Sequence, residues 1–108
     1  MSIKITDNTD EVLSSLEKAI KNGLTAIGMT AEGHAKKAAP VDTGRLRNSI
    51  THAVKMDEKA AYIGTNVEYA PYVELGTVNM SPRPFLKPAA TEHRAEYERL
   101  MKAALENA

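Results

Sequence analysis

SITHAVKMDEKAAYIGTNV, residues Ser49 to Val67, is where helical spacing gives way to alternation. From Ser49 to Met56, Ile50, Val54 and Met56 fall on one side and Thr51, Ala53 and Lys55 on the other, which predicts a half-buried strand. Polar Asp57-Glu58-Lys59 follows. Ala60 to Val67 then sets Ile63 and Tyr62 on opposite faces, so a second strand pairs with the first as a hairpin.

Upstream, the period changes. Leu13, Leu16, Ile20, Leu24, Ile27, Ala31, Ala35 and Ala38 are spaced 3, 4, 4, 3, 4, 4 and 3 apart, about 3.6 on average, which predicts a long helix over residues 8–39. Asn8 with Glu11 makes a capping box at its start, and Pro40 pushes Ala39 out of helical dihedrals at its end. Glu17 with Lys21 and Glu32 with Lys36 are i,i+4 pairs on a solvated face. Gly23, Gly28 and Gly33 each cost about 1 kcal/mol relative to alanine, so the helix depends on packing and is expected to bend or break there.

Downstream, Pro71 to Leu75 followed by Gly76 predicts one short helical turn, because Pro suits a helix start and Gly an end. Met80-Ser81-Pro82-Arg83-Pro84 should be extended, and residues 85–107 return to helical spacing through Leu86, Ala90, His93, Tyr97, Leu100 and Ala104. The expected fold is α+β: a long N-terminal helix, a small antiparallel sheet with loops over residues 40–84, a short helical turn and a C-terminal helix. With 108 residues and no internal repeat, this is expected to be one domain spanning 1–108.

Lys plus Arg and Asp plus Glu both total 14, and the three parts divided after Ala39 and Lys87 carry net charges of 0, +1 and −1. Nucleic-acid affinity rests largely on clustered cations at phosphates, so this balance argues against it as the main task. No apolar run approaches the roughly 18 residues that would span a bilayer, and MSIKITDNTDE lacks the basic and apolar regions of a secretory signal. A cytoplasmic start is therefore expected, without a membrane partner. The chain has no cysteine, which excludes disulfides and thiolate chemistry. Of 46 apolar positions 16 are alanine, with one Phe and no Trp, so the core is thin and neighbouring subunits are expected to help cover it.

No catalyst stands out. Asp42-Thr43-Gly44 is the tripeptide of aspartic proteases, but those need two carboxylates sharing a proton on a nearly all-β scaffold. Here Arg45 follows and holds an Asp ionised, and about half the chain reads as helix; a turn, with Gly44 supplying an unusual dihedral, is the simpler reading. His34, His52 and His93 show no metal-ligand spacing and read as polar-face residues, so no metal or cofactor is expected. Gly23 to Gly28 lacks the Lys-Ser/Thr of a phosphate loop, and the serines lack nucleophile-elbow glycines.

What remains are Arg45, Arg47, Tyr69, Tyr72, Glu74, Arg83 and Phe85, residue types enriched at binding hot spots, with Pro84 stiffening the last of them. The competing assignment puts Tyr69, Tyr72 and Phe85 in the core and pairs Arg45 with Glu74. Three blocks containing them, Ala39-Pro40-Val41-Asp42-Thr43-Gly44-Arg45-Leu46-Arg47-Asn48-Ser49-Ile50, then Ile63-Gly64-Thr65-Asn66 with Tyr69-Ala70-Pro71-Tyr72-Val73-Glu74-Leu75-Gly76-Thr77, then Arg83-Pro84-Phe85-Leu86-Lys87-Pro88-Ala89, resemble the "gene product ten" family of long-tailed phages in order and spacing. The likeness covers about Ala39 to Ala90, and the flanking helices match in character.

That resemblance implies a non-enzymatic structural protein of the head–tail junction or tail end, a tail-completion or connector component. It further implies a homo-oligomeric ring docked to neighbouring neck, connector or tail proteins in the virion, with DNA passing through the lumen. Heterologous contacts closed by rotation are how identical chains build an annulus. The seven residues are the expected contacts. The alternatives are a dimeric aspartic protease using Asp42, and a nucleic-acid-binding regulator from a mobile element using Arg45, Arg47 and Lys55.

Overall fold

The computed structural model describes residues 9–40 and 44–107, with only the backbone for 9–12. The expected cap by Asn8 and Glu11 and the residues Val41, Asp42 and Thr43 lie outside the described residues. The fold is α+β, as the change of period implied. Its elements are α1 (Thr9–Ala38), α2 (Arg45–Ser49), β1 (Thr51–Lys55), β2 (Ala60–Gly64), α3 (Ala70–Leu75), α4 (Leu86–Thr91) and α5 (Arg94–Glu106).

Helix α1 runs unbroken for 30 residues, about 45 Å at 1.5 Å per residue. The helix does not break at its glycines, and two of them serve packing. A Cβ at Gly23 would lie 2.6 Å from the Met101 sulfur on α5, and one at Gly28 would lie 2.9 Å from the His52 ring on β1. The missing side chains let α5 and the hairpin approach the α1 backbone, and that contact compensates the lost propensity.

The hairpin is antiparallel, with Thr51 opposite Gly64, Ala53 opposite Tyr62 and Lys55 opposite Ala60. His52, Val54 and Met56 turn toward α1, half-buried, while Thr51, Ala53 and Lys55 face out. On the outer face the Lys55 ammonium lies 5.3 Å from the Tyr62 ring centroid. Both strands are shorter than expected. Ser49 belongs to α2, a helix that the sequence reading missed and that seats Leu46 in the core. Strand β2 stops at Gly64 because the Thr65 side chain turns back, bonding the Ser49 hydroxyl and accepting the Val67 backbone N–H at 3.1 Å.

The expected C-terminal helix is two helices. It breaks at Glu92-His93, where His93 adopts φ −120°, ψ 30°, outside the helical range. The core gathers where α1, α2, α3 and α4 meet: Ala35, Ala39, Leu46, Ile50, Val67, Ala70, Phe85 and Ala89. Half of these eight are alanine, so the elements sit close and little apolar volume is enclosed. Helix α5 lies along α1 with none of its residues buried. Among the described residues, no helix is long and apolar enough to cross a membrane.

Candidate functional site

Helix α2, helix α3 with its N-cap Tyr69, and the following loop, residues 76–85, carry the seven residues singled out from the sequence, and these do not stand on one footing. Phe85 is completely buried, at 0 % exposure, and anchors the loop's return into the core. Glu74 is used within the chain. Its carboxylate accepts the backbone N–H groups of Phe85 at 3.1 Å, Leu86 at 2.9 Å and Lys87 at 3.3 Å. Those are orphan donors of the first turn of α4, and the side chain of its own N-cap leaves them unserved. Arg45 does not reach Glu74. It pairs with Glu68 at 3.0 Å, and its guanidinium carbon lies 5.5 Å from the Tyr69 ring centroid. The Glu68 backbone and then Arg45 hold the Glu68 carboxyl below its ordinary range.

Arg47, Tyr72 and Arg83 are exposed. The loop between Tyr72 and Arg83 is rigidly specified. The Tyr72 carbonyl accepts the Gly76 N–H at 2.8 Å, Thr77 and Met80 exchange backbone hydrogen bonds at 2.8 and 3.2 Å, and the Arg83 N–H returns to the Val73 carbonyl at 2.8 Å. Gly76 has φ 79°, ψ 173°, a conformation suited only to glycine, and a Cβ there would lie 2.8 Å from Pro82. The turn projects apolar side chains into solvent: Tyr72 is 59 % exposed, Leu75 76 %, Met80 39 % and Val78 fully. Leu75, Val78 and Met80 escaped the sequence reading, because periodicity marks apolar residues as core and carries no signal for an apolar tip.

A second cluster was also missed. The His34 and His93 rings stack at 3.6 Å between centroids with planes 2° apart, and His34 Nε2 lies 2.7 Å from Glu96 Oε1. That hydrogen bond holds the Glu96 carboxyl below its ordinary range, while burial raises Tyr97, whose hydroxyl donates to the Ala89 carbonyl. His93 and Glu96, three apart at the start of α5, were legible as a pair; nothing in the sequence ties His34 to them. Elsewhere His52 Nδ1 meets Glu32 Oε1 at 3.0 Å, joining β1 to α1, and Lys36 meets the other Glu32 oxygen at 3.2 Å.

The family model described as "Bacteriophage HK97-gp10, putative tail-component" matches residues 3–76. The match takes in the N-terminal helix, the first block and the second as far as Gly76, and it ends before Arg83-Pro84-Phe85. No curated protein and no solved structure matches the chain.

Proposed function

This chain belongs to the bacteriophage HK97-gp10-like family of tail components, and from that membership we propose that it is a non-enzymatic part of the head–tail junction or tail end. A tail component works among other virion proteins, and its chemistry is contact. In this reading copies of the chain associate as a ring, and the ring docks to neighbouring neck, connector or tail proteins while DNA passes through its lumen.

The observation that carries the reading is the apolar tip. Of the large apolar side chains most exposed among the described residues, Tyr72, Leu75, Val78 and Met80 fall within nine positions of each other on one braced turn. Contiguous exposed apolar surface with a polar rim marks a site of protein contact. Arg83, exposed and tied by its backbone to Val73 at the end of the same turn, supplies the rim, exposed Arg47 is assigned to the same contact, and Tyr with Arg is hot-spot composition. Arg45 and Tyr69 border it. Glu74 and Phe85 support it from beneath by fixing where the loop leaves and re-enters the fold. The partner surface in the ring is a second copy, met head to tail.

Electron microscopy of the purified protein, alone and with the adjoining head and tail proteins, tests this. Rings with countable rotational symmetry support it. A particle that stays monomeric and binds none of those proteins overturns it, as does peptide cleavage by the wild-type chain that Asp42→Asn abolishes.

A further inference from the structure

We infer that His34, His93 and Glu96 form a binding site for one divalent transition-metal ion, best suited to zinc, that staples the start of α5 to α1. One donor atom from each residue lies within 4.8 Å of the other two, and among the described residues this is the only such three-donor group. Two imidazole nitrogens and one carboxylate oxygen make a donor set that suits zinc, and not the all-oxygen shell preferred by magnesium or calcium. The His34 and Glu96 side chains are 21 % and 37 % exposed, shielded enough to hold an ion and open enough to admit one.

The present geometry shows what binding changes. Zinc bonds of about 2.0–2.2 Å in a tetrahedron place neighbouring donors about 3.4 Å apart, so His34 Nε2 and Glu96 Oε1, now 2.7 Å apart, separate to admit the ion while the His93 nitrogen, within 4.8 Å of both, swings onto it. An ion cannot lie in the planes of two parallel rings, so the stack opens. His93 is the ring free to turn, because its backbone is outside the helix and escapes the rotamer limits of a helical turn. A carboxylate only accepts, so His34 Nε2 carries the proton between it and Glu96; the ion takes that place and the proton is released. Water completes the fourth position. The site stands independently of how copies of the chain associate.

Isothermal titration calorimetry with zinc chloride on the tag-free full chain is the test. One ion per chain is expected, with affinity at least about tenfold weaker in His93→Gln and in Glu96→Gln and unchanged in His52→Gln. Absence of binding in the wild type, or equal weakening in all three variants, overturns the site. Should the variants unfold, cobalt(II) added to the wild type decides by NMR: the imidazole resonances of His34 and His93 broaden first. Broadening centred on His52 overturns it.

Discussion

Glu74 is spent on three backbone N–H groups eleven to thirteen residues downstream. Removing a charged acceptor strands those donors at the edge of the core, so Glu74→Ala should lower unfolding free energy by about 1–3 kcal/mol in urea titrations. Gly76→Ala should cost a similar 1–3 kcal/mol, because alanine is strained at φ 79° and its Cβ meets Pro82. Glu32 gives a pH signature. Its carboxyl sits below the ordinary 4.5, chiefly through the His52 hydrogen bond and then through Lys36. A carboxyl lowered in the folded state contributes stability that is complete above its unfolded value and lost as pH falls through its folded value. Stability should therefore decline as the solution is acidified below about pH 4.5, and Glu32→Gln should flatten part of that decline. The sequence reading gave Glu74 a contact role and did not see its hold on α4, because capping rules reach three residues and this contact spans eleven or more.

At the scale of elements, the glycines of α1 separate propensity from packing. Gly33 has nothing within 4 Å of an added Cβ, so Gly33→Ala should gain about 1 kcal/mol from helix propensity alone. Gly28→Ala should forfeit that gain, since its Cβ meets the His52 ring at 2.9 Å. Thermal unfolding of the two variants side by side checks the contrast. Periodicity made α1 and the existence of the hairpin legible, because from Ala19 onward α1 buries one face and the hairpin turns one face, half-buried, toward it. Helix α2 escaped because five residues carry too little pattern, and because only Leu46 among them is buried. The division between α4 and α5 escaped because Leu86, Ala90, His93 and Tyr97 keep helical spacing across it; at the break His93 stacks on His34 of α1, a contact no local spacing announces.

The whole molecule encloses little. Its main buried cluster is half alanine, no residue of α5 is buried, and Leu13 and Leu16 on α1 stand more than two-fifths exposed. A chain built this way keeps apolar surface for other proteins, and the braced tip from Tyr72 to Met80 is where that surface is most concentrated. Two aspartates there should abolish association without disturbing the fold, because Leu75 and Val78 are 76 % and 102 % exposed and support nothing beneath them. Sedimentation velocity over a concentration series, comparing the wild type with Leu75→Asp/Val78→Asp, measures this directly. The wild type should shift to a defined larger species as concentration rises, while the variant stays monomeric with an unchanged circular dichroism spectrum. Identical sedimentation of the two proteins, whether both assemble or both remain single chains, would contradict assembly through this tip.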